Sequence, residues 1–123
     1  MFDHIQIKVR DFKKSRRFYK SVLAPLGYKV VFEARGVVMG FGTSPHDMFE
    51  VRQAGRGAPL SRAVHIALRT KSKKAIDAFY KAALAHGGKD NGQPGLRPEY
   101  EPGYYAAFVL DPDGHNLEAV YKK

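Results

Sequence analysis

A stretch of this chain occurs in it twice, and each copy opens on a histidine. His4 to Gly27 aligns without a gap on His65 to Gly88, 61 residues further on. Nine of the 24 positions are identical: His4/His65, Ile5/Ile66, Lys13/Lys74, Phe18/Phe79, Tyr19/Tyr80, Lys20/Lys81, Leu23/Leu84, Ala24/Ala85 and Gly27/Gly88. Self-similarity at a fixed offset means two copies of one supersecondary unit. In a chain of 123 residues the unit is too long for a solenoid repeat and suits two half-domains packed together. It also puts a metal-capable side chain at the same structural place in each half.

Each copy reads as strand, helix, then further strands. Ile5, Ile7 and Val9 alternate with His4, Gln6 and Lys8, the period of two that marks a half-buried strand. Asp11 suits a helix N-cap, and Phe12, Phe18, Tyr19, Val22, Leu23 and Leu26 follow at helical spacing up to Gly27. Tyr28 to Phe32, Val37 to Phe41 and Met48 to Arg52 read as three short strands. In the second copy, Val64 to Arg69 is a strand. Ser72 caps a helix whose buried face is Ala75, Ile76, Phe79, Ala83 and Leu84, and Gly87-Gly88 ends it. Lys89 to Gly103, rich in glycine and proline, is expected to be a long shaped loop with at most a short strand. Tyr104 to Leu110 and Asn116 to Tyr121 are the last strands, joined tightly through Asp111-Pro112-Asp113-Gly114. The expected fold is therefore α+β: two tandem βαβββ modules forming a cupped mixed sheet with helices on the outer face. It forms a single domain over residues 1–123, with module one at about 1–54 and module two at about 63–123.

Composition narrows the function classes. With 21 basic and 12 acidic residues the net charge is +9, concentrated near the starts of the two helices (Lys13, Lys14, Arg16, Arg17; Lys71, Lys73, Lys74). Such a face keeps a protein in solution and can steer an anionic small molecule. No nucleic-acid motif accompanies it, so no nucleic-acid partner is expected. The apolar run Ala106 to Leu110 is far too short to cross a membrane. The first strand starts almost at Met1, leaving no room for a signal peptide, so a cytoplasmic location is expected. Cysteine is absent, which removes disulfides and thiol nucleophiles.

The residues opposite the apolar stripe carry the chemistry. His4, Gln6 and Lys8 face away from the first helix, and His65 lies opposite Ile66 and Leu68. Glu118 stands between Leu117 and Ala119, and Glu50 between Phe49 and Val51. Glu50 and Glu118 are 68 residues apart, so a seven-residue insertion in the second half brings them into correspondence. Two histidines and two carboxylates thus form two symmetric pairs, and imidazole with carboxylate suits a borderline divalent cation. His46 and His115 fall in turns and His86 at a helix end, where solvated or capping roles are expected. Arg97, Tyr100, Tyr104 and Tyr105 belong to or border the Pro-rich segment and are expected to shape a pocket.

At these residues the chain resembles the vicinal oxygen chelate superfamily, which includes glyoxalase I, bleomycin-resistance proteins, extradiol dioxygenases and fosfomycin-resistance thiol transferases. His4-Ile5 with Asp11 and Phe18-Tyr19 is similar to the family's opening, and Val64-His65-Ile66-Ala67 to its mid-chain strand. Asp111-Pro112-Asp113-Gly114-His115-Asn116-Leu117-Glu118 is similar to its closing hairpin. The resemblance implies a divalent metal (Zn, Ni, Co, Mn or Fe) bound by His4, His65 and Glu118, with Glu50 as the fourth ligand. It implies a homodimer whose metal sites combine ligands from both chains. It further implies a glyoxalase I-like lyase or isomerase acting on a small oxygenated substrate, such as an anionic thiol conjugate, with Glu118 or Glu50 shuttling the proton. The alternatives on the same fold are a non-catalytic bleomycin-resistance-like binding protein, a dioxygenase or a thiol transferase. Lys8 stands where glyoxalase I has an arginine that aids glutathione binding. With Arg97, Tyr100 and Tyr105 it completes the expected substrate pocket.

Overall fold

A computed structural model of the chain describes residues 1–123. The first half runs β1 (His4–Val9), α1 (Phe12–Leu23), β2 (Lys29–Ala34), β3 (Val38–Gly42) and β4 (Met48–Gln53). The second runs β5 (His65–Arg69), α2 (Lys73–Ala85), β6 (Lys89–Leu96), β7 (Tyr104–Leu110) and β8 (Asn116–Lys122). Each half forms its own four-stranded mixed sheet, in the order β1-β4-β3-β2 and β5-β8-β7-β6. In both, the first strand runs parallel to the last and the other pairs are antiparallel. The βαβββ duplication read from the repeat is the architecture. No helix is long and apolar enough to cross a membrane.

The helix ends follow from local chemistry. Asp11 accepts a hydrogen bond from the Lys14 amide, and Ser72 accepts one from the Ala75 amide, each at 3.1 Å. A single 3-10 turn, Ala24–Leu26, extends α1, and Gly27 closes it at φ +93°, a conformation only glycine adopts cheaply. In the second copy the left-handed residue is Gly87, one position earlier in the repeat. Gly88 serves a different need, because a Cβ there would lie 2.8 Å from Phe18 Cε2.

That close approach locates the seam between the halves. One continuous core draws Phe18, Tyr19, Val22 and Leu23 from α1 and Ile76, Phe79 and Ala83 from α2. Ile7, Val9, Phe49 and Val51 of the first sheet and Ala107, Val109, Leu117 and Ala119 of the second join it. The modules meet through contacts between α1 and α2, and no hydrogen-bonded strand pair joins the two sheets. Burying Phe18 and Phe79 completely is worth about 3–5 kcal/mol each, judged by the cost of truncating such rings to alanine. The helices cover one face of each sheet and leave the other open.

The Pro-rich segment corrects the loop reading. Lys89–Leu96 is an eight-residue strand, paired to β7 through register shifts between Asp90 and Gly92 and between Gly92 and Gly95. Pro94 falls inside the second shift, where the ladder has no hydrogen bond for it to interrupt. As an edge strand, β6 needs no apolar alternation, which hides it from a reading based on periodicity.

Candidate functional site

The register places the four candidate ligands. Glu50 pairs with Gln6 across β4 and β1, and Glu118 pairs with Ala67 across β8 and β5. Gln6 and Ala67 are repeat equivalents, so the two glutamates occupy one structural place. Each histidine lies two residues before that point on its strand, on the same open face.

The two pairs differ in state. His65 Nε2 lies 2.8 Å from Glu118 Oε2, and the Glu118 side chain is only 3% exposed. The Tyr104 hydroxyl donates to the other oxygen, Oε1. Burial first, then that bond, pushes the Tyr104 phenol well above its ordinary value, so it remains a donor. In the first half, the His4 imidazole turns to Asp3, with Nδ1 and Oδ1 2.6 Å apart. The Asp3 hydrogen bond, and after it the charge of Glu50, lifts His4 above its ordinary value. Asp3 also faces His46 Nδ1 at 3.5 Å. Glu50 is buried and accepts from Gln6 Nε2 at 3.1 Å, and Gln6 in turn accepts from Lys8 Nζ at 2.6 Å.

The remaining candidates divide by strand alternation. Arg97 lies over the Phe108 ring, its carbon 5.6 Å from the centroid, and donates to the Gln93 carbonyl. Phe108 is also 6.2 Å from the His65 ring, so Arg97 belongs to the open face beside the closed pair. Tyr100 is exposed and stacks edge-on against Tyr104 at 5.2 Å. Tyr105 departs from expectation. It points to the helix side, where its hydroxyl donates to Asp77 at 2.8 Å and the Lys73 amine sits over its ring. Tyr104 takes the place expected of it, because neighbouring strand residues face opposite ways.

His115 departs as well. It is buried, with Nδ1 2.8 Å from Asp111 Oδ2 and Nε2 2.8 Å from the Ser61 carbonyl. Both ring nitrogens meet acceptors, so both donate and the ring is an imidazolium. The Asp111 hydrogen bond raises it above its ordinary value. Burial alone would raise Asp111, but hydrogen bonds from His115 and Tyr19 hold it below the carboxylate range. This pair fastens the closing turn to the connection between the halves, away from the glutamates. His86 caps as expected, its Nδ1 reaching the Ala82 carbonyl at 2.8 Å.

No three His, Asp or Glu side chains converge to hold a metal within one chain. Two of the donors do fit one. Cis ligands about 2.0–2.2 Å from a zinc-like ion stand about 3 Å apart, close to the 2.8 Å between His65 and Glu118.

The match to known proteins decides the family. The family model for the Glyoxalase/Bleomycin resistance protein/Dioxygenase superfamily covers residues 1–119. The chain belongs to that superfamily. A glyoxalase/bleomycin resistance protein from Albidiferax ferrireducens T118 is 28% identical, with a TM-score of 0.84 over 100% of this chain and 99% of that one. A lactoylglutathione lyase from Agrobacterium tumefaciens is 17% identical, with a TM-score of 0.67 over 98% and 92% of the two chains. A glyoxalase-related enzyme from Fulvimarina pelagi is 20% identical, with a TM-score of 0.73 over 98% and 86%. The last two share the fold alone. No curated protein matches significantly. The superfamily includes enzymes and often binds metals.

Proposed function

We propose that this glyoxalase-superfamily protein is a metal-dependent lyase or isomerase of the glyoxalase type. It acts as a homodimer on a small substrate carrying neighbouring oxygens. The observation that supports this is the His65–Glu118 pair: a buried carboxylate and an imidazole at the separation of two cis ligands. Each chain offers a second pair, His4 and Glu50, on another sheet. A full ligand set then comes from His65 and Glu118 of one chain with the partner's His4 and the partner's Glu50. A divalent ion bound there would polarise the substrate's adjacent oxygens and stabilise the negative charge left as a proton leaves carbon.

The chain's own residues supply the rest. Glu118 is the base: Tyr104 holds one of its oxygens, and His65, which meets the other, would give up that contact to an ion that both ligate. Its burial strips water from the oxygen that takes the proton, and the neutral phenol steadies the carboxylate in either state. Glu50 is aimed by Gln6, which Lys8 holds in turn. The open sheet face admits the substrate.

Metal analysis of protein purified without a chelator or a histidine tag tests the reading. About one ion per chain is expected, lost in His65→Ala. Substoichiometric metal, unchanged in that variant, overturns it. Sedimentation is expected to show a dimer. Hemithioacetal isomerisation is expected with nickel, cobalt or zinc, and its absence with all three removes the glyoxalase branch.

A further inference from the structure

The face that carries Glu118 continues past it into a cavity of about 720 Å³. Tyr28, Arg69, Tyr104, Val120 and Lys122 help to line it. Register orders the floor in rows: Ala67 beside Glu118 and Phe108, then Arg69 beside Val120 and Ala106, then Lys122 beside Tyr104. At about 3.3–3.4 Å per strand residue, Arg69 stands about 7 Å along the sheet from the glutamate's row. Tyr104 bridges the distance, with its ring by Lys122 and its hydroxyl on Glu118.

The cations of this cavity are differently committed. The Lys122 amine is 2.8 Å from Glu101 and 5.3 Å from the Tyr104 ring centroid. The Arg69 guanidinium makes no ion pair or hydrogen bond, while its backbone carbonyl accepts from the Tyr28 hydroxyl at 2.5 Å. That bond fixes the backbone from which the free head group extends. Asp47 shares a smaller adjoining cavity of about 230 Å³ with Arg69, but Thr43 and Ser44 occupy its oxygens. The contrast with the other half is informative. Lys8 is the repeat equivalent of Arg69, and its amine is tied to Gln6 in support of Glu50. The second half leaves its cation free, and changes it to the residue whose flat fork takes two oxygens at once.

We propose that Arg69, aided by Lys122, is a specificity-determining oxyanion subsite. It selects a small acid whose carboxylate or phosphate lies about 7 Å from the oxygens presented to Glu118. The assignment rests on Glu118 as the reacting centre. The apolar floor at Ala67 and Val120 accommodates the short spacer between the two ends, and Tyr28 and Tyr104 wall it.

Binding of two probes to the whole protein tests this, by calorimetry with and without nickel. 2-Oxoglutarate has adjacent oxygens at one end and a carboxylate at the other; 2-oxopentanoate has the same chain without that carboxylate. Wild type is expected to prefer 2-oxoglutarate by about tenfold or more, the scale of a charge-assisted pair. Arg69→Met removes the preference, Arg69→Lys keeps part of it, and Lys122→Met reduces it. Lys20→Met, which removes an equal charge from the exposed face of α1, leaves the preference intact. Equal affinity for the two probes, no saturable binding of 2-oxoglutarate, or an equal loss in Lys20→Met overturns the subsite. Thermal melting confirms that the variants fold. A failed preference alongside nickel binding that His65→Ala abolishes removes the subsite alone. An Arg69-dependent preference in protein that binds no nickel upholds the subsite and removes the metal reading.

Discussion

The two halves share one frame and finish it differently, at the His/Glu pair and at the turn before the last strand. In the second half the pair is closed, His65 on Glu118, and Tyr104 completes the carboxylate's shell. In the first the pair is open, because Asp3 holds His4. The turns differ by the same logic. Thr43 and Asp47 are the equivalents of Asp111 and His115, so the acid sits at the end of one turn and at the start of the other. Asp47 closes an exposed turn by accepting from Thr43 and Ser44. Asp111 closes a buried one, gathering Tyr19, His115 and two backbone amides on its oxygens. Duplication thus preserves the ladder, where geometry is strict. It leaves the turns and strand ends free to diverge, which is how one half comes to hold a ready carboxylate and the other a releasable histidine.

Removing the two acids in turn separates the halves most strongly. Asp111→Ala leaves a buried imidazolium and the Tyr19 hydroxyl without their partner, and is expected to cost about 3–5 kcal/mol in urea unfolding. Asp47→Ala exposes its donors to water and is expected to cost a small fraction of that. Similar losses in the two variants would mean that the buried turn is no more demanding than the exposed one.

A smaller effect separates the turns by pH. Folded His115 holds its proton more tightly than the unfolded chain, whose imidazole titrates near 6.5. Its stabilisation is therefore complete below pH 6.5 and disappears as pH rises through the higher folded value. Asp47 is the reverse. Its hydrogen bonds, that from the Thr43 hydroxyl first, lower it from 3.8, so its contribution is present above 3.8 and lost as pH falls through the folded value. Unfolding across about pH 3 to 9 is expected to show the gap between wild type and His115→Gln narrowing at alkaline pH. The gap to Asp47→Ala narrows in acid. A His115→Gln gap that widens above neutrality would mean a neutral ring in the native state.

What the sequence disclosed follows physical strictness. Apolar alternation, the caps Asp11 and Ser72 and the repeat itself specify the ladder and helices, because one face of each must reach the shared core. The correspondence of Glu50 with Glu118 was legible through the offset and holds in the register. The edge strand at Lys89–Leu96 was not, since bulges and solvent on one side relax every pattern that marks a strand. Asp3 as the partner of His4, and Tyr104 rather than Tyr105 on the open face, depend on rotamers and phase at strand ends. Linear spacing says little there. His115 looked like a turn residue in water because nothing local reveals that Ser61, distant in sequence, closes over it.

The finest form of the comparison concerns the supports of the two carboxylates. Tyr104 and Gln6 play the same part from different places: one is a phenol reaching back along the sheet, the other a cross-strand amide 3.1 Å from Glu50. The Tyr104 bond is the more enclosed and its acceptor the more buried, so its removal should disturb metal binding more. Tyr104→Phe is expected to weaken binding of nickel or zinc about tenfold, the lower end for the loss of a supporting hydrogen bond. Gln6→Ala is expected to weaken it by less, since water can reach Glu50 from the open side and replace the amide. Competition against a chromogenic chelator measures both. A Gln6→Ala effect larger than that of Tyr104→Phe would make the open pair, not the closed one, the part of the site that sets affinity.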